Sequence, residues 1–289
     1  MNLKLESLLR IAYLLIISSY LPCNGIEIEK LQDVLNAPVT VITQDQVNFR
    51  GLIKRIKSDE LILKEYAGTG VIEYALQFDN IQRIDFPGTE YVALANEFLE
   101  NKDYPHAILI MDALYKQRVQ LFRWQPFNAL LCFKRHAELH LNYGSLTSAI
   151  QIANQLKAHI NNSGIIDELN DIILLAYHRL WMEDRADALS KQWIEERSSY
   201  GRSALGWYVQ AELKLKAQDY AQALQFALEP IVFSSQFPMS YLDHCYAVAI
   251  IAAIELNESA HSQLLWKEMH ERGFAWPAVF AKQEPTFDL

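Results

Sequence analysis

A recurring pair of segments constrains this chain more than any other feature. Around Ala107 the chain reads Tyr91-Val-Ala-Leu94-Ala95-Asn-Glu-Phe98-Leu99, then Asp103-Tyr104-Pro-His-Ala107. Around Ala223 it reads Trp207-Tyr-Val-Gln-Ala211-Glu-Leu-Lys-Leu215, then Asp219-Tyr220-Ala-Gln-Ala223, and the two stretches align without a gap. Three further copies fit. One carries Phe133, His136, Ala137, Leu146, Ala149 and Ala153; the next carries Ile172, Leu175, Ala176, Ala188 and Gln192; a weaker last copy carries Tyr246, Ala249, Ile250, Ser262 and Trp266. The small residues of the second segments, Ala107, Ala149, Ala188, Ala223 and Ser262, recur every 35 to 42 residues. Leu99, Leu141, Leu180, Leu215 and Ile254 form a second column on the first segments. A period of this length marks a stack of helical hairpins. Small residues let the two helices of a hairpin approach closely, while large ones fill the groove of the next hairpin.

The pattern resembles the tetratricopeptide repeat (TPR), whose first helix carries a large residue followed by Leu and a small residue, and whose second helix begins Tyr-x-x-Ala. The resemblance covers residues 88–276 as about five hairpins, and leaves 277–289 as a C-terminal tail. It implies an all-α solenoid with a concave groove that holds a peptide or helix of another protein. The groove would be lined by first-helix positions that avoid the packing columns: Asn96, Lys134, Glu138, Tyr177, Trp181, Tyr208 and Glu212. Tyr177, Trp181 and Tyr208 would form an aromatic strip that anchors binding, while Lys134, Glu138 and Glu212 set ligand direction. The alternative is that Trp181 packs between hairpins. The family's peptide-carboxylate clamp needs a regular Lys and Asn pattern that this sequence lacks, so a free C-terminus is not the expected ligand.

Ahead of the repeats, residues 26–87 read as a small β-domain. Val39–Thr43, Phe49–Ile56, Glu60–Lys64, Tyr74–Phe78 and Gln82–Phe86 are short β-branched or alternating runs. Turn signals at Asp45-Gln46, Ser58-Asp59 and Gly68-Thr-Gly70 separate them. Five such strands predict a small barrel or sandwich, with Gly51 at the bend of a long second strand. The layout resembles an SH3-like barrel of the Sm type, with Ile28–Leu35 as its leading helix. Where an Sm protein carries its nucleotide-binding Asp and Asn, this chain has Lys57 and Leu61, and Arg83 is followed by Ile84 rather than Gly. The barrel shape is therefore expected and RNA binding is not. The fold class is α+β multidomain, a small all-β barrel followed by an all-α solenoid.

The N-terminus has the layout of a secretory signal peptide: Lys4 and Arg10, an uncharged run from Ile11 to Leu21, then Pro22, Cys23, Asn24 and Gly25. The run is shorter than the ~20 apolar residues that span a bilayer, and Glu27 and Glu29 follow at once. Cleavage after Gly25 makes residues 1–25 a signal segment and the mature protein periplasmic or secreted, without a membrane span. Lipidation of Cys23 and an uncleaved anchor are the alternatives, the first weakened by Pro22 where a lipoprotein box has a small residue.

Composition and charge narrow the function further. The formal charge is −9, and removing Lys4, Arg10 and Glu6 takes it to −10, which repels a polyanion. The basic cluster Arg50, Lys54, Arg55 and Lys57 lies beside Asp59, Glu60 and Glu65 and reads as a solvated strand face. Three cysteines, Cys23, Cys132 and Cys245, do not make a disulfide scaffold. His136 and His140 stand at i and i+4, a spacing zinc accepts, yet both fall on core-facing repeat positions. No phosphate loop, nucleophile elbow, C-x-x-C or paired-carboxylate motif occurs in the sequence. No catalytic, cofactor-binding or metal-binding residue is therefore assigned. The expected function is a non-catalytic scaffold for a protein or peptide partner. A ligand-binding β-domain with the repeats as spacer, or an envelope enzyme with an unrecognised site, are the other readings.

Overall fold

The structure, a computed structural model, describes residues 30–196, 203–233 and 240–287. The expected signal segment and Cys23 lie outside them. The chain divides into two compact units between Ala129 and Leu130.

In the first unit a short helix α1 (Leu31–Leu35) precedes β1 (Val39–Thr43), β2 (Asn48–Ile56), β3 (Glu60–Ala67), β4 (Gly70–Gln77) and β5 (Ile81–Asp85). They form one antiparallel sheet of order β4-β3-β2-β1-β5, with β4 and β5 as its edges. Alternation in β1 sends Val39, Val41 and Thr43 to the interior. β2 pairs with β1 through Asn48 to Gly51 and with β3 from Leu52 onward, so it must bend where those partners exchange. Gly51 sits at that bend, and a Cβ there would lie 2.9 Å from the Lys64 carbonyl oxygen. Arg50, Lys54, Arg55 and Lys57 are exposed on the same strand and its turn, with Lys54 paired to Glu73 and Lys57 to Glu60.

The sequence places a domain boundary after residue 87, whereas this unit continues through Ala129. Its core explains why. Two helices, α2 (Thr89–Glu100) and α3 (Tyr104–Arg118), follow the sheet, and a 3-10 segment, Val119–Trp124, leads the chain back to it. Leu121 of that segment is buried in the same cluster as Val39, Val41, Leu61, Leu63 and Ile84, and Trp124 stacks on Phe78 at 4.2 Å. Arg118 lies over Phe86 and donates to the Pro87 carbonyl at 2.8 Å, while Gln125 donates to the Ile84 carbonyl at 3.2 Å. Sheet and first hairpin thus share one interior.

The second unit takes in nearly all of α4 (Phe127–Tyr143), then α5 (Leu146–Lys157), α6 (Ser163–Arg179), α7 (Glu183–Glu196), α8 (Leu205–Lys216), α9 (Tyr220–Phe233), α10 (Leu242–Glu255) and α11 (Ser259–Glu271). Consecutive helices from α5 to α11 are neighbours, and the first helices α6, α8 and α10 also lie side by side.

The hairpin turns repeat in backbone as well as in sequence. Lys102, Trp181, Gln218 and Asn257 each adopt a left-handed conformation, with φ of 61, 59, 60 and 61°. The next residue closes the helix end: Asp103 N–H donates to Phe98, Met182 to Tyr177, Asp219 to Lys214 and Glu258 to Ala253, at 2.7 to 3.0 Å. This is the Schellman arrangement, which satisfies carbonyls left open at a helix C-terminus. Asp103 and Asp219 then accept backbone N–H bonds from His106 and Gln222, capping the second helix. In the α4–α5 turn Ser145 plays that capping role, and its own N–H donates to His140 Nδ1 at 3.2 Å.

These turns correct the register of the third copy. Five residues past each left-handed position stands a fully buried small residue: Ala107, Ala186, Ala223 and Ser262, with Ala149 its counterpart in α5. Ala188, which the sequence alignment places in this column, is exposed. Likewise Leu99, His178, Leu215 and Ile254 stand three residues before the left-handed position, so His178 replaces Leu180. Both columns slip by the same two residues because Leu180 and Ala188 imitate the pattern two positions past its true occupants, His178 and Ala186. Turn geometry, absent from composition, decides between them.

Candidate functional site

The residues expected to line a groove fall into three settings. Asn96 is half-buried on α2 of the first unit. Lys134 and Glu138 stand one turn apart on α4, where Lys134 bridges Glu138 at 2.7 Å and Glu168 of α6 at 2.5 Å. Burial opposes the Lys134 charge, but these two carboxylates outweigh it and raise its pKa, so the three groups read as a tie between α4 and α6.

The other four gather at α6 and α8. Tyr208 and Glu212 are one turn apart on α8, and both are buried, so neither ring nor carboxylate forms an open wall. Tyr208 packs edge-on to His178 and His244 and stacks with Tyr241, its ring plane 6° from that of Tyr241. Glu212 is the electrostatic centre. His178 Nε2 lies 3.1 Å from one carboxylate oxygen and Lys216 Nζ 2.7 Å from the other, and the Tyr208 hydroxyl adds a hydrogen bond. Burial pushes the Glu212 pKa up, but the bond and charge of His178, then the bonds from Lys216 and Tyr208, overcome it and hold the group at about 2. Burial, reinforced by that negative charge, drives the Tyr208 phenol far above its ordinary value.

Trp181 is the one exposed residue of the seven, at 69%. It follows α6 in left-handed backbone, which is unfavourable for a bulky side chain. Lys216 Nζ lies 4.1 Å from the centre of its ring, so one ammonium joins Trp181 to Glu212. Arg185 of α7 lies 5.5 Å over Tyr177, which is half-buried one turn before Trp181, and Met182 beside it is exposed. The aromatic strip of Tyr177, Trp181 and Tyr208 is therefore not a uniform surface: one ring is exposed, one is half-buried and one is interior.

Sequence reasoning missed His178, Met182, Arg185 and Lys216. The last was readable, since Glu212 and Lys216 have the i,i+4 spacing of a helical ion pair. His178 lay hidden behind the two-residue slip.

His136 and His140 are buried with ring centres 4.7 Å apart, and His140 spends Nδ1 on the Ser145 N–H. Burial raises the Cys245 thiol well above its usual value, which leaves it inert. A second pair of exposed apolar side chains lies on the β3–β4 hairpin, where Tyr66 and Val71 face each other across the strands, and Ile72 is exposed on the opposite face. Among the described residues no helix is long and apolar enough to cross a membrane.

Comparison with protein families gives no match, and no curated protein matches. Among solved structures the chain is similar to one described as the crystal structure of MamA protein, with a TM-score of 0.45 and 14% identity, over 70% of this chain and 97% of that one.

Proposed function

We propose that the helical hairpins are a tetratricopeptide-like scaffold that binds a protein or peptide partner, that the protein is non-catalytic, and that residues 1–25 export it to the periplasm or the outside of the cell. Trp181 carries this reading. At the turn position where other hairpins place Lys102, Gln218 and Asn257, this one holds a large ring in unfavourable backbone and leaves it exposed. Strain retained at a surface aromatic is an observation from which function is inferred. The most perturbed carboxylate among the described residues supports the non-catalytic part, because Glu212 is buried in ion pairs with Lys216 at 2.7 Å and His178 at 3.1 Å.

The β-domain is the second reading, favoured by the exposed Val71 and Ile72 on the edge strand β4 and Tyr66 beside it on β3. Deleting the sheet would not separate the two, since it shares a core with the first hairpin. Photoreactive residues placed singly at positions 66 and 181 of the full chain, irradiated in its native cells, do separate them. A partner trapped reproducibly from 181 and not from 66 supports the scaffold; the reverse favours the β-domain.

A further inference from the structure

The surface around Trp181 has a chemistry that specifies more than a generic partner. Trp181 and Met182 are exposed, Tyr177 is half-buried, and Arg185 extends over Tyr177 from the first turn of α7. Trp, Tyr, Met and Arg are the residue types enriched where protein interfaces concentrate their energy, and all four occur within nine residues here. Two cations flank the rings. Lys216 is neutralised by Glu212 beneath it, while Arg185 is exposed and has no carboxylate partner among the described residues. Arg185 is thus an exposed guanidinium beside exposed apolar groups, open to a carboxylate from another molecule.

We propose that this turn between α6 and α7 is the docking site for an acidic, apolar segment of a partner protein: an apolar side chain seats on Trp181 and Met182, and a carboxylate pairs with Arg185. Arg suits that task because its planar fork binds a carboxylate through two parallel bonds. The Glu212 network beneath fixes Lys216 against one face of Trp181, so the ring is ordered before a partner arrives and little freedom is lost on binding. This rests on the scaffold reading above and names the partner class for its site.

The test is selection of a random twelve-residue peptide display library on the purified full chain, followed by binding of the enriched peptides to variants. Trp181→Asn is the informative substitution. Asn occupies the same turn position at Asn257 and tolerates left-handed backbone, so the melting temperature should stay the same or rise while binding falls at least tenfold. Arg185→Glu should abolish binding of the acidic peptides, and added salt should weaken them on the wild type. Enriched peptides that are acidic and lost on both variants support the proposal. Neutral or basic peptides, or acidic ones that bind both variants unchanged, overturn it and leave the scaffold reading standing. Absence of any enriched peptide overturns this inference and counts against the scaffold reading as well.

Discussion

The indole of Trp193 occupies the space a side chain on Gly206 would need: a Cβ there would fall 2.5 Å from Trp193 Cε3. Helix α8 can lie this close to α7 only because residue 206 is glycine. Trp193 is fixed in turn by its Nε1–H bond to Asp171 of α6 at 2.7 Å and by edge contact with Trp207. Gly206→Ala gains about 1 kcal/mol of helix propensity. It must then displace a buried indole, and overpacking of this kind costs about 1 to 3 kcal/mol. Net destabilisation, read as a lower denaturation midpoint, is expected; a rise would mean the helices can separate freely.

The corrected register is testable at two neighbouring alanines. Ala186 is fully buried and Ala188 exposed. Ala186→Leu should therefore cost about 1 to 3 kcal/mol through overpacking, as should Ala149→Leu and Ala223→Leu. Ala188→Leu should stay within about 0.5 kcal/mol of wild type. Urea denaturation of the four variants checks this, and equal losses at 186 and 188 would refute the turn-based register.

Glu212 gives the fold a pH dependence with a definite sign. Its pKa is lowered from 4.5 to about 2, so its partners stabilise the folded state fully above about pH 4.5. That contribution is lost as pH falls from there towards 2. The shift corresponds to at most roughly 3 kcal/mol. Glu212→Gln should lower stability at pH 6 by about 2 kcal/mol and flatten the decline between pH 4.5 and 2. Thermal melts of both proteins across that range measure it, and parallel curves would contradict the network.

Much of the fold was legible because its signals are local. The five strands fall close to the β-branched runs, and Gly51 stands at the bend that a strand with two partners needs. Asp103 and Asp219 announce caps that the structure uses. What was not legible depends on contacts distant in sequence. Nothing near Leu121 or Trp124 says that they complete the core of the sheet, and nothing near Tyr208 says that Tyr241 and His244 cover it. Trp181 was identifiable as an aromatic at the end of a repeat helix, but its exposure and left-handed backbone required the register that sequence alone misassigned by two residues.

Export rests on the charged start and short apolar run, and its check is direct. N-terminal sequencing of protein recovered from the cell envelope or medium should begin at Ile26. A full-length cytosolic product would contradict export, and a fatty acid on Cys23 would replace cleavage after Gly25 with anchoring.

The most direct measurement of the scaffold claim is the affinity of the partner trapped by crosslinking for two variants of the full chain. Trp181→Asn removes the exposed ring on the helical unit, and Tyr66→Ser with Val71→Thr removes the exposed apolar pair on the sheet. Loss of a central aromatic anchor costs about 2 kcal/mol or more, so Trp181→Asn should weaken binding by about thirtyfold. The sheet variant should bind like wild type. Full affinity of folded Trp181→Asn, together with lost affinity of the sheet variant, would contradict the account and move the binding site to the β-domain.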